Sequence, residues 1–470
     1  MQMVFKGRAK ELSVLQKRYD AKGFQMVVLY GRRRIGKTTL MNEFLRRQKA
    51  QCISFTAVEQ SEQELIRMMS NAVLFAIAPE LQGIVNFTSF EQIFEFIGQK
   101  AADERIVFFI DEYPYLAKQC PYIQSVLQKT IDLTWKQTNL FFVLCGSLVS
   151  FMKEEVLAKS APLYGRSNLE MKLRPFNYLQ TAEFFPNYTY EEKAICYGLT
   201  GGVAKYIEQF DAEKSLETNI IEQFFEMGGY FTEEQVKTVV TGEKQNPALY
   251  NSLLLAVATG HSKNNEIASF VEMKDITYPL KVLVEAELLE KRTSGKPYYV
   301  ITDNMLRFWF KYVSRATSLI NAGRGEQYYL SVVKDNLHGF MGSVFEQMAK
   351  DYLLSHAGMG KVPLVTDIAQ YQNTILDENR KRKQLEIDLV GYKRKDIVLL
   401  GECKFKNEKF GKDELEIFVN KTKYMPANSP ALFLFSLSGF TKYVEGNSQN
   451  TVLVDIKDMY AETDCMESLH

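Results

Sequence analysis

No apolar run in this 470-residue chain approaches the roughly 20 residues that a helix needs to span a bilayer, so no transmembrane segment is expected. Residues 1–6, Met-Gln-Met-Val-Phe-Lys, hold no apolar core of a secretory leader. Cysteine is scarce as well. The six are scattered, none in C-x-x-C spacing, which argues against a zinc site or a disulfide framework and fits reduced thiols. A surplus of either charge is also missing, since 57 Lys and Arg face 57 Asp and Glu. The chain as a whole therefore favours no charged partner, and any nucleic-acid surface has to be a local patch. Internal repeats and low-complexity tracts are absent. What remains is an ordinary globular composition, and a cytoplasmic protein is expected. It is too long for one compact core and is expected to divide into roughly two to four domains.

What is present is concentrated near the start. Residues 31–38 spell G-R-R-R-I-G-K-T, which fits the phosphate-binding pattern G-x-x-x-x-G-K-[ST]. The apolar run Met26–Tyr30 before it predicts a buried strand, and Leu40, Phe44 and Leu45 after it fall at helical spacing. Gly31 and Gly36 free the backbone to turn its N–H groups toward phosphate oxygens, aided by the helix N-terminus. Gly31, Arg34, Ile35, Gly36, Lys37, Thr38 and Thr39 are the candidate nucleotide contacts. Lys37 is expected to neutralise the β- and γ-phosphates, and Thr38 to hold Mg²⁺ through its hydroxyl. The cofactors expected are ATP and Mg²⁺.

Residues 105–112, R-I-V-F-F-I-D-E, form a second apolar run that ends in two acids. Strands buried on both faces read as continuous apolar runs, and ligands gather at their carboxyl ends. Asp111 is expected to reach Mg²⁺ through a water, and Glu112 to polarise an attacking water, so hydrolysis is expected rather than binding alone. A third run, Asn139–Ser147, ends in a hydroxyl. Ser147 is the candidate sensor of the γ-phosphate.

Three segments carry a resemblance. Phe5, Gly7, Arg8, Glu11 and Leu12 match the F-x-G-R-x-x-E-L motif that opens AAA+ and STAND-type ATPases. Residues 162–166, P-L-Y-G-R, and 200–206, T-G-G-V-A-K-Y, resemble motifs of the archaeal-type ATPase family, with Ala204 where proline is usual. The resemblance implies that Arg8 helps position the nucleotide. It also implies that Arg166 is an arginine finger acting on a neighbouring subunit, hence a homo-oligomer. A guanidinium fork suits developing phosphoryl charge.

Further on, residues 249–260, 265–270 and about 275–288 read as three helices. The runs 289–292 and 298–301 around the turn 294–297 read as a hairpin. This is the winged-helix order, and Lys281, Lys291, Arg292 and Lys296 are candidate contacts to DNA phosphates. Asp275, Glu285 and Glu287 on the third helix oppose that use.

The last third carries a second candidate chemistry. Residues 344–354 predict an amphipathic helix bearing Glu346. Residues 384–390 and 397–404 predict paired strands around a turn at 393–396, followed by a helix near 412–424 and a strand at 431–437. Glu402 and Lys404 share one strand face. Asp388 followed by Glu402-x-Lys404 resembles the PD-(D/E)xK nuclease superfamily. The resemblance implies that Asp388 and Glu402 chelate Mg²⁺, that Glu346 is a third ligand, and that Lys404 orients the attacking water. The basic run 380–383 is placed to track a phosphate backbone. The expected fold class is therefore α/β: a P-loop parallel-sheet ATPase core (1–175), a helical lid (176–240), a winged helix (241–315) and a restriction-endonuclease-like α/β domain (316–470). Two functions are expected to compete. One is an ATPase whose nucleotide state gates a Mg²⁺-dependent nuclease on DNA; the other is a STAND-like signalling or docking switch with an inactive nuclease fold.

Overall fold

The computed structural model describes residues 5–232, 246–292, 297–376, 382–448 and 450–461. Lys296, Arg380, Lys381 and the end of the expected lid lie outside them. The chain forms two compact units, residues 1–175 with 203–205, and residues 176–202 with 206–470.

The first unit is built on five parallel strands: β1 (Gln25–Tyr30), β2 (Gln51–Thr56), β3 (Ile106–Asp111), β4 (Leu140–Gly146) and β5 (Leu169–Lys172). Their order across the sheet is β2-β3-β4-β1-β5. The three apolar runs of the sequence are thus three adjacent central strands. Their period-2 alternation is hidden because both faces are covered. Val27, Leu29, Phe109, Phe141 and Val143 pack on one side with Leu12 and Leu15 of α1 (Ala9–Tyr19) and with Leu40, Met41 and Phe44 of α2 (Lys37–Arg47). Met26, Val28, Phe108, Ile110 and Phe142 pack on the other side with Ile66, Phe94 and Trp135. The indole N–H of Trp135 donates to the carbonyl of Phe94 at 3.0 Å, so the largest ring in that layer leaves no orphaned donor.

In the second unit, helices Pro247–Ala258, Asn264–Phe270 and Thr277–Glu285 precede an antiparallel pair, β6 (Leu289–Arg292) and β7 (Tyr298–Ile301). The first helix starts earlier than its apolar periodicity, because Pro247 sits in its first turn and the Asn246 side chain accepts the Leu249 N–H. The third is shorter than 275–288. The Asp275 carboxylate takes the Thr277 N–H before the helix, and Glu287 at φ 57° turns the chain out of it.

The last segment forms a mixed sheet of β8 (Asp367–Leu376), β9 (Arg382–Lys393), β10 (Asp396–Lys404), β11 (Ala431–Ser436) and β12 (Thr451–Asp455), in the order β12-β11-β10-β9-β8. The β9–β10 hairpin is antiparallel and turns at the expected place; β10–β11 and β11–β12 are parallel. β8 and β12 were not legible in the sequence, since neither is an isolated apolar run. Helix Leu337–Ser355 packs against this sheet and helix Lys412–Thr422 joins β10 to β11. Among the described residues no helix is long and apolar enough to cross a membrane, and the described cysteines are free thiols.

Candidate active sites

Strand order places the first site. β4 lies between β1 and β3, so the chain ends leaving these strands bring Gly31, Asp111 and Ser147 to one edge. The loop after β1 is held in a shape that favours glycine: Arg34 has φ 71° and Gly36, which caps α2, has φ 88°. A Cβ on Gly31 would stand 2.4 Å from the Leu173 carbonyl oxygen, so that position admits no side chain. The Lys37 ammonium is buried and donates to the carbonyls of Gly31 (2.9 Å) and Arg32 (3.0 Å). Burial lowers its pKa, against the charges of Glu112 and Asp111. Thr38 Oγ1 donates to Asp111 Oδ2 at 2.6 Å, while Asp111 Oδ1 accepts the Glu112 N–H at 2.9 Å. Hydroxyl and carboxylate therefore stand together as the hard oxygen pair that Mg²⁺ prefers, and the donor chemistry fits that ion. Glu112 itself is left-handed (φ 51°), a strained setting for a non-glycine residue, and its Oε2 accepts from Ser147 Oγ at 2.7 Å.

Two further segments close on this loop. Arg8 is buried, and its Nη2 donates to the carbonyls of Ile35 (3.1 Å) and Arg174 (2.8 Å) while Nη1 pairs with Glu11. In this structure it clamps the loop that shapes the phosphate site. Residues 203–205 belong to the same unit: the Lys205 N–H donates to the Arg34 carbonyl at 3.1 Å, and a Cβ on Gly36 would come 3.5 Å from that of Ala204.

The second site lies where the β9–β10 ladder ends. Its last described pair is Leu389–Gly401. Beyond it, Asp388 Oδ2 replaces a backbone acceptor and takes the Cys403 N–H at 2.9 Å. Glu402 is 4% exposed and lies between two ammonium groups, Lys404 at 2.7 Å and Lys421 at 2.9 Å. Burial, and then the charge of Glu402, pushes Asp388 up to about 6. Burial, followed by the charges of Asp388 and Glu386, pushes Glu346 up to about 8, with Arg292 and Lys404 opposing. Burial works to lower Lys404, but Glu402 outweighs it and raises its pKa. Among the described residues no three acidic, histidine or cysteine side chains converge closely enough to hold a metal ion as a group. The expected trio of Glu346, Asp388 and Glu402 is therefore not assembled as a ready-made cage. The mutually repelling pair Asp388–Glu402 has the chemistry for one hard cation.

Comparison with known proteins agrees with the first site. A family model described as an ATPase domain predominantly from Archaea matches residues 5–210. An uncharacterised protein of Methanocaldococcus jannaschii, MJECL04, is 30% identical over 369 residues, covering 77% of this chain and 80% of that one. The chain belongs to this archaeal ATPase family. A second model, of archaeal and bacterial proteins of unknown function, matches residues 309–416 of the archaeal ATPase. Among solved structures, the Walker-type ATPase PABY2304 of Pyrococcus abyssi aligns at 18% identity and TM-score 0.48, over 65% of this chain and 96% of its own. The ORC2 protein of Aeropyrum pernix aligns at 12% identity and TM-score 0.44, over 69% and 97%.

In this archaeal ATPase, Gly31, Lys37, Thr38, Asp111, Glu112 and Ser147 of the expected site are linked by hydrogen bonds, and Arg166 is engaged apart from them. Within the chain, Arg166 is engaged by Asp132, at 2.5 and 3.2 Å, and by the Pro162 carbonyl at 2.7 Å. Sequence reasoning missed two partners. Tyr115 OH accepts from Arg33 of the phosphate loop. Lys421 lies on a helix whose amphipathic pattern marks only its apolar face, so no local signal assigns it to Glu402.

Proposed function

We propose that the protein binds and hydrolyses ATP at the β1–α2 loop and that its nucleotide state gates a metal-dependent phosphodiester-cleaving site on DNA in the C-terminal sheet. The observation that carries the first half is the joining of Thr38 to Asp111 and of Glu112 to Ser147 at one sheet edge. Lys37 would exchange its two loop carbonyls for β- and γ-phosphate oxygens, with Gly31, Arg34, Ile35, Gly36 and Thr39 lining the loop and Arg8 fixing its shape. Thr38 and Asp111 would hold Mg²⁺, which screens phosphoryl charge when bound. Glu112, released from Ser147, would orient and deprotonate the attacking water. The separation of Glu112 from that duty by one hydroxyl makes Ser147 the element that senses the γ-phosphate.

The gating half rests on residues 203–205. They lie on the phosphate loop while the chain on either side belongs to the second unit. In that unit, Asp388 and Glu402 would share one cation that polarises a phosphodiester, with Glu346 alongside and Lys404 holding the water. The helices 247–285 with the β6–β7 pair would serve as a winged helix carrying DNA. A second reading is favoured by a specific observation: Glu402 is already neutralised by two lysines. In that reading the C-terminal sheet is a docking module and the protein a STAND-like switch. Incubation of plasmid and single-stranded DNA with Mg²⁺ or Mn²⁺, with and without ATP, separates the two. ATP-dependent cleavage supports gating; ATP turnover with intact DNA under every condition leaves the switch.

Self-association is proposed to complete the ATP site, with Arg166 exchanging Asp132 for a neighbour's phosphate. Arg166→Ala is expected to preserve ATP affinity and to lower turnover by on the order of 10³-fold. Turnover per chain of the unsubstituted protein should rise with protein concentration. A concentration-independent rate from a monomer would restrict Arg166 to its Asp132 pairing.

A further inference from the structure

Two arginines of the first unit that were read as site residues pair with carboxylates, and a third on the phosphate loop does not. Arg8 pairs with Glu11 and Arg166 with Asp132, which cancel their charge. Arg33, the third residue of the loop, is half-buried and donates to the hydroxyl of Tyr115, a neutral partner. Among the described residues no carboxylate pairs with it, so its charge stays uncompensated. Most N–H donors of the guanidinium also remain available.

The contact spans the site. On the loop side, the Lys37 ammonium rests on the carbonyls of Gly31 and Arg32, the residue next to Arg33. On the other side, Tyr115 lies in the first turn of helix Tyr113–Gln119, which Glu112 caps, and its N–H donates to the Glu112 carbonyl at 3.0 Å. The Arg33 side chain thus reaches from the loop that carries Lys37 to the helix that follows Glu112. Its charge is felt at the Lys37 ammonium and opposes it. Like charges so placed repel until an anion comes between them. A brace joining loop and helix would be stronger with a carboxylate in place of the phenol. The neutral hydroxyl instead fixes the guanidinium without cancelling its charge.

We propose that Arg33 is a catalytic residue of the ATPase, meeting the γ-phosphate oxygens within its own chain, and that Tyr115 is the positioning residue that aims it. The inference rests on the ATP site proposed above. In hydrolysis the water oxygen bonds to the γ-phosphorus while the bond from that phosphorus to the β–γ bridging oxygen breaks. ADP leaves with the electron pair, and the water proton passes to Glu112. A forked cation beside the γ-oxygens stabilises the charge that shifts during this transfer. Arg33 supplies it in a single chain and so sustains a basal rate, to which Arg166 adds in an assembly.

The test pairs equilibrium binding with turnover on the full chain. ADP and a non-hydrolysable ATP analogue are titrated calorimetrically in Mg²⁺, and phosphate release from ATP is followed separately. Arg33→Ala is expected to lower turnover by on the order of 10³-fold. It should weaken the triphosphate about tenfold and leave ADP, which has no γ-phosphate, bound as before. Arg33→Lys should recover the triphosphate preference but little of the turnover, because the ammonium has no fork. Tyr115→Phe should lower the maximal rate about tenfold at unchanged KM, since the guanidinium is present but no longer aimed. Mixing Arg33→Ala with Lys37→Ala chains should restore nothing, because no chain then holds both groups. If Arg33→Ala fails to fold, Arg33→Lys and Tyr115→Phe carry the test. Equal weakening of both nucleotides, or unchanged turnover in Arg33→Ala, would make Arg33 a brace between loop and helix. Recovery on mixing would assign its action to a neighbouring chain. Each of these results overturns the proposal and leaves the ATP site standing. An unsubstituted protein that binds neither nucleotide would end the ATP site and the proposal together.

Discussion

Lys37→Ala is expected to abolish triphosphate binding, and Glu112→Gln to leave binding intact while turnover falls on the order of 10²–10³-fold. The contrast follows from what each side chain touches. Lys37 now saturates the carbonyls of Gly31 and Arg32. Without it those oxygens would face the phosphates unscreened, so alanine removes an attraction and exposes a repulsion. Glu112 instead touches Ser147, and a glutamine keeps that hydrogen bond while losing basicity. Titration with a fluorescent ATP analogue and a phosphate-release assay measure the two effects separately. Equal affinity of the unsubstituted and Lys37→Ala proteins would contradict the assignment of the loop; unimpaired turnover in Glu112→Gln would move the base elsewhere.

Asp388→Asn and Glu402→Gln are each expected to eliminate DNA cleavage, by more than about 10²-fold, with ATP turnover unchanged. Each substitution keeps the shape and removes half of the paired charge. Glu402→Gln also strands the ammonium groups of Lys404 and Lys421 on a neutral amide, so its thermal midpoint should drop further than that of Asp388→Asn. Lys421→Ala supplies the counter-test. It frees one side of Glu402, and half-maximal cleavage should then need less Mg²⁺. Cleavage that survives both acid substitutions would identify a contaminating nuclease, and loss of ATP turnover in either variant would signal global damage.

The strand–loop–helix of the candidate phosphate site and the acids facing it were legible because that information is local. A glycine-framed loop between a strand and a helix, and two acids at the end of a buried strand, each occupy a few consecutive residues. What escaped was long-range. Arg8 hydrogen-bonds the Ile35 and Arg174 carbonyls, a contact no spacing rule foretells. Lys421 acquires its partner only when its helix packs beside Glu402. The edge strands β8 and β12 were missed because a strand half open to solvent reads as mixed polar sequence. The end of the 277–285 helix was misplaced because a left-handed glutamate at 287, rather than a glycine, turns the chain.

Strand order also has a cost during synthesis. β1 hydrogen-bonds to β4 and β5 alone, and never to β2, the strand made next. On the ribosome, Met26–Tyr30 emerges early and finds no partner until β2, β3 and the helices between them have been made and β4 follows. Until then one of the most apolar strands of the protein has two unpaired edges, a setting that favours aggregation over folding. Parallel pairing at such sequence separation is also slow to form. A nascent chain stopped before β4 should therefore resist neither protease nor clumping, and protection of α2 and its loop should arrive abruptly, after β4 clears the exit tunnel. The nucleotide pocket is one of the first segments translated and one of the last in its unit to acquire a shape.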